Sequence, residues 1–126
     1  MRIITKRQIL LLHEHLITRF GGIPGVRDDG LLESAINAPM QSFGGIDFYP
    51  TIIDKSVRLG FGLIRNHPFL DGNKRIGTHA MLAQLEMNGV HLEYEPDDLI
   101  ELIMEVAAGV ISMETFHKWI SDHVIK

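Results

Sequence analysis

Between Asn73 and Asn88, apolar residues fall on almost every side of a helix. Ile76, Ala80, Met81, Ala83, Leu85 and Met87 leave little of its circumference polar, and Gly89 ends it. A helix this apolar must be wrapped by other elements rather than face water. Each neighbouring segment then needs only one apolar stripe.

Such stripes recur along the chain. Thr5 and Gln8 form a capping-box pair opening a first helix, with Ile9, Leu12, Leu16 and Phe20 at helical spacing and Gly21-Gly22 at its end. Asp29 is expected to cap a second helix that buries Leu31, Leu32, Ala35 and Ile36 and closes at Pro39. Thr51 caps a third, with Ile52, Ile53, Val57, Phe61 and Ile64 inward. It must stop near Asn66, because the residue before Pro68 is pushed out of the α region. Pro96, Asp97 and Asp98 suit the first turn of a fifth helix, which buries Leu99, Leu102, Ile103 and Val106. Ser112 caps the last, carrying Phe116, Trp119 and Ile120. Residues 21–30 are rich in turn formers and read as irregular; residues 90–94 read as a short extended connection. Residues 43–49 place two glycines between aromatic ends, which suits a short flap hairpin or a plain loop. Roughly two-thirds of the chain is then helical, about double the usual share. The expected class is all-α: one compact domain over residues 1–126, a bundle of about six helices around the central buried one.

Composition narrows the function. The 126 residues carry 45% hydrophobic residues, enough for one core, and no apolar run reaches the roughly 18 residues of a membrane span. A net charge of −4 weighs against a dedicated nucleic-acid binder, including a small helical DNA-binding regulator. Cysteine is absent, which removes disulfides and thiolate metal sites. The N-terminal apolar stretch is cut short by His13 and Glu14 and lacks a cleavage site, so it does not read as a signal peptide. The expected location is cytoplasmic. His13-Glu14-His15 does not read as a zinc site, because helical residues two apart point to different faces. Six methionines fit gap filling in the core, and His117 and His123 read as surface residues.

The segment NHPFLDGNKR, residues 66–75, carries the chemistry. It feeds the start of the buried helix, where backbone N–H groups lack partners and the dipole is positive. That is a ready anion site. Gly72 permits close backbone approach, Asn73 can cap the helix or donate to a phosphate oxygen, and Lys74 and Arg75 add full charges. Two cations in a first turn oppose the dipole, so their presence points to an expected anion. Asp71 is one carboxylate, the number that suits magnesium taking its other oxygens from nucleotide phosphates and water. His67, at the end of the third helix, suits a general base. Singly, each residue has a plain reading: His67 a helix C-cap, Asp71-Gly72 a turn, Asn73 a cap, Lys74 and Arg75 a solvated face. Their combination favours a phosphate site. His79, one turn after Arg75, reads as a core or interface residue more than as a supporting residue of that site.

HPFLDGNKR resembles the signature of the Fic/Doc family, His-x-Phe-x-(Asp/Glu)-(Gly/Ala)-Asn-(Gly/Lys)-Arg, at His67, Phe69, Asp71, Gly72, Asn73, Lys74 and Arg75. LLHEHLITRFGGIPGVRDDGLLESAI, residues 11–36, is similar to the death-on-curing (Doc) branch. The resemblance implies a compact helical fold. It also implies transfer of part of a nucleotide to a protein hydroxyl, with ATP and Mg2+ as cofactors. Catalytic roles would fall to His67, Asp71, Lys74 and Arg75, nucleotide contacts to Gly72, Asn73, Lys74 and Arg75, and the metal to Asp71. Most Fic relatives transfer AMP and carry glycine where this chain has Lys74; the Doc branch has lysine and acts as a kinase on elongation factor Tu, arresting translation. A lysine side chain fills space that the pyrophosphate would occupy, so ATP would turn and offer its γ-phosphoryl group. Thr78 stands where the AMP-transferring pattern often has a second arginine, and no self-inhibiting (Ser/Thr)-x-x-x-Glu-(Gly/Asn) motif is present: Leu82, Glu86 and Met87 break the nearest match. The resemblance therefore implies a toxin restrained by a separate antitoxin with a disordered inhibitory tail, whose groove the sequence does not locate. It also implies that residues 43–49 align the target peptide as a flap. The alternatives are an AMP transferase on the same scaffold and a catalytically silent partner-binding module.

Overall fold

The structure, a computed structural model, describes residues 1–125. Six helices run in chain order: α1 (Lys6–Phe20), α2 (Asp29–Asn37), α3 (Ile52–Asn66), α4 (Asn73–Met87), α5 (Pro96–Ala107) and α6 (Met113–Asp122). A 3-10 turn, Ala38–Met40, follows α2, and a two-stranded hairpin, β1 (Ser42–Phe43) and β2 (Ile46–Asp47), lies between it and α3. The all-α expectation stands, and residues 42–47 form a hairpin, with Ser42 opposite Asp47 and Phe43 opposite Ile46. No helix among the described residues is long and apolar enough to cross a membrane.

The helix ends follow local chemistry. Thr5 and Thr51 close full capping boxes with Gln8 and Asp54, and Ser112 caps α6. The cap of α2 is Asp28, not Asp29: its carboxylate accepts from Leu31 N–H at 3.0 Å, and Asp29 instead pairs with Lys6 at 2.8 Å. Adjacent aspartates offer the same cap chemistry, and only the turn geometry separates them.

The core has two halves that meet along α3 and α4. Ile9 and Leu16 of α1 and Leu32 and Ala35 of α2 pack on Leu59, Leu63, Ile76 and Ala80. On the other side, α5 and α6 bring Leu102, Ile103, Val106, Phe116 and Ile120 onto Val57, Ile64, Met81 and Leu85. The centre is thus a helix pair rather than α4 alone. Its backbones nearly touch. A Cβ on Gly77 would sit 3.0 Å from the Gly60 carbonyl oxygen and 2.5 Å from Ile64 Cγ1. This contact fixes the end of α3 against the start of α4. Phe20, expected in the α1 stripe, is half exposed instead.

Two polar clusters lock the periphery. Lys55 is 4% exposed. Its ammonium donates to the carbonyls of Pro39 at 3.3 Å and Tyr49 at 2.6 Å, with Asp47 at 3.8 Å. One cation thereby holds both feet of the hairpin. His117, read from sequence as a surface residue, is only partly exposed and lies 2.6 Å from Asp54. His123 is likewise partly covered, its ring stacked on Trp119. Burial alone would raise the Asp54 pKa. Hydrogen bonds from Thr51 and His117 outweigh it and hold the carboxyl below 3.8.

Two tests follow from this packing. Gly77→Ala should lower unfolding free energy by roughly 1–2 kcal/mol, the overpacking cost exceeding the better helix propensity of alanine; urea denaturation measures it. A carboxyl depressed on folding contributes stability that is complete above its unfolded pKa and is lost as pH falls through the folded value. The advantage of the wild type over Asp54→Asn, about 1 kcal/mol as for other caps, should therefore be full above about pH 5 and fade below about pH 4.

Candidate active site

α3 ends at His67, which adopts the left-handed conformation at φ 49° and ψ 55°. It is the one non-glycine residue with positive φ among those described. For an ordinary side chain this costs roughly 1–2 kcal/mol, and glycine normally occupies such a position. The strain is held from outside. Arg27 Nε donates to the His67 carbonyl at 2.7 Å, and its Nη2 to the Asn66 carbonyl at 3.0 Å. The backbone of residues 25–28 pairs with the loop beyond. Arg27 and Asp28 N–H both donate to the Pro68 carbonyl, and Leu70 N–H donates to that of Gly25. The irregular GGIPGVRDDG segment is therefore a brace for the motif loop.

From the core side, Phe69 is fully buried and pins the loop. Asn73 is not the cap of α4. It is the first helical residue, 8% exposed, and its amide is occupied with the loop backbone. Its Oδ1 accepts from Phe69 N–H at 2.9 Å and its Nδ2 donates to the Phe69 carbonyl at 3.0 Å. The same Nδ2 lies 3.5 Å from His67 Nδ1. The cap position is Gly72, at φ 73°, which has no side chain to accept from the helix N–H groups. α1, α2, α3 and α6 have side-chain caps, and α5, which lacks one, has two aspartates in its first turn. The start of α4 has neither. Its first N–H groups and the positive end of its dipole face outward uncompensated.

That terminus opens on a cleft of about 510 Å³. Asp71, Gly72, Asn73, Lys74 and Arg75 line one side, with Thr78 and His79 above them, and Leu99, Ile100, Ile103 and Met104 of α5 form an apolar wall opposite. His67 is not part of this lining; it stands at the end of α3, linked to the site through Asn73. Lys74 and Arg75 are exposed, and neither has a carboxylate within ion-pair distance among the described residues. Arg75 rests its guanidinium 4.3 Å from the centre of the Phe20 ring, which explains why Phe20 stays outside the core. Burial, and then the charge of Arg75, hold the His79 pKa below its ordinary 6.5. Thr78 donates its hydroxyl to the Lys74 carbonyl at 2.7 Å.

Asp71 faces outward. Its Oδ2 accepts from Ile23 N–H at 3.1 Å and its Oδ1 from Gly72 N–H at 2.8 Å. A Cβ on Gly22 would lie 2.8 Å from that Oδ2, so the brace must be glycine there. Each carboxylate oxygen keeps one lone pair free, which suits a single metal contact. Among the described residues, no group of three histidine, aspartate or glutamate side chains is placed to hold a metal unaided.

The sequence profile of the Fic/DOC family matches residues 3–85, from the start of the chain through most of α4. The chain belongs to the Fic/DOC family. It is 42% identical over 90 residues to a protein named Toxin Doc from Mycolicibacterium smegmatis, covering 70% of this chain and 69% of the relative. It is 30% identical over 115 residues to a protein named Protein kinase doc from Escherichia phage P1, covering 91% and 90%. The matched stretch contains both the motif loop and its brace.

Three participants escaped the sequence reading. Arg27 acts on main-chain carbonyls, which leave no trace in residue pattern. The α5 wall reads as ordinary core. His13 did leave a signal: it falls between Ile9 and Leu16 on the buried stripe of α1, and it is 4% exposed.

His67→Gly should relieve the left-handed strain and raise unfolding free energy by about 1 kcal/mol, while Arg27→Ala should lower it by a similar amount. Thermal melts of both against the wild type check the pair.

Proposed function

We propose that this Fic/DOC protein is a toxin kinase. It transfers the γ-phosphoryl group of ATP to a hydroxyl on a translation factor similar to elongation factor Tu, in the cytoplasm, and is restrained by an antitoxin with a disordered tail. The observation that carries the proposal is the uncapped start of α4, opening with unpaired Lys74 and Arg75 onto a cleft to which the strained His67 is linked through Asn73. The names of the two relatives, a toxin and a protein kinase, agree with it.

In this reading the phosphates lie on the free N–H groups of Asn73 and Lys74, and Lys74 and Arg75 neutralise their charge. The nucleoside rests on the apolar α5 wall, where Ile100 and Met104 are exposed. His67 takes the proton of the target hydroxyl as its oxygen bonds to the γ-phosphorus; the bond from that phosphorus to the bridging oxygen breaks, and ADP leaves with the electron pair. Asp71 would hold Mg2+, which supplies charge stabilisation to the phosphate oxygens when bound. Lys74 carries the direction of transfer: its side chain occupies the space a pyrophosphate needs for AMP transfer. Residues 43–49, with Phe43 and Ile46 exposed, present an apolar edge to the target peptide.

The test uses ATP labelled at the α- or γ-phosphate, with magnesium and a bacterial extract. The γ-label should appear on one protein of elongation-factor size. His67→Gly should remove it, and Lys74→Gly should lower it at least about tenfold. Transfer of the α-label would make the protein an AMP transferase. No label, together with tight capture of a small partner protein, would make it a silent binding module.

A further inference from the structure

His13 has no part in the transfer scheme above, yet it is buried directly beneath the loop that performs it. Its ring stacks on Phe69, with centroids 3.8 Å apart and planes 13° from parallel. Packing alone would be met more cheaply by phenylalanine, because a buried imidazole must find polar partners. His13 finds one: Nε2 lies 2.8 Å from the carbonyl oxygen of Asp71. A carbonyl only accepts, so Nε2 carries the proton and the ring is the donor.

The consequence runs through one peptide plane. In a trans peptide the C=O and the following N–H point in opposite directions. With the Asp71 carbonyl drawn inward to His13, the Gly72 N–H must point outward, and it meets the Asp71 carboxylate at 2.8 Å. The approach is close, since a Cβ on Gly72 would be 3.7 Å from His13 Nε2. We infer that His13 is a positioning residue for the Asp71–Gly72 peptide, setting both the outward aim of the Asp71 carboxylate and the direction of the first amide at the start of α4. That this peptide serves phosphoryl transfer rests on the function proposed above; that His13 orients it does not.

Three variants separate this role from packing. His13→Phe keeps the stacked ring and loses the donor. His13→Gln places an amide N–H near the position of Nε2 and loses the ring. His13→Asn is too short to reach Asp71, and replaces His13→Phe should that variant fail to fold. Hydrogen exchange at the Gly72 amide reads the peptide directly, without nucleotide. It should be at least about tenfold faster in His13→Phe and near wild type in His13→Gln. In the transfer assay kcat should fall at least about tenfold in His13→Phe, with KM for ATP changed less than about threefold, and His13→Gln should recover most of the loss. Unchanged exchange in His13→Phe, or equal impairment in both variants, would overturn the assignment. If the wild type transfers no phosphoryl group, the exchange arm still decides the role of His13, and only the proposed activity falls.

Discussion

Where Gly60 of α3 meets Gly77 of α4, two helix backbones lie together with almost no side chain between them. Everything at the site inherits its precision from that contact. α3 delivers the imidazole just past its last turn, and α4 delivers the uncapped amides at its first. A loop joins them, but loops alone do not hold groups in fixed relation. The tight helix pair does so, and α1, α2, α5 and α6 exist in the fold chiefly to bury its two sides.

The loop itself is over-determined. Arg27 and the strand-like brace hold its outer side, and Phe69, Asn73 and His13 hold its inner side. Such redundancy is what a residue in an unfavourable backbone conformation requires if it is to persist. The fold thus pairs a locally destabilising feature with several stabilising ones in its immediate neighbourhood. The two cations at α4 are a second such feature, because they oppose the helix dipole and repel each other. Resting Arg75 on the Phe20 face gives that guanidinium a weakly favourable place.

Much of the architecture was legible because it is written in local chemistry. Thr5, Thr51 and Ser112 announce their helices by side-chain type, and Pro68 ends α3 by sterics. The motif residues from His67 to Arg75 are contiguous, so their gathering at one helix start needed no tertiary knowledge. What was not legible depends on contacts across the chain. Asp28 and Asp29 are chemically equal caps until the turn is built. Asn73 looks like a cap and is instead a clamp, because Gly72 takes the cap position. The spacing of His13 to its neighbours Glu14 and His15 says nothing; beside Ile9 and Leu16 it reads as buried.

The hairpin has a further consequence. Its feet are tied by one buried ammonium, while Phe43, Gly44, Gly45 and Ile46 at the tip touch nothing the fold depends on. Anchoring and presentation are therefore separable: the tip is an interchangeable head on a fixed mount. Substitutions at these four residues would change what the tip presents to solvent, and the helical frame behind them need not respond.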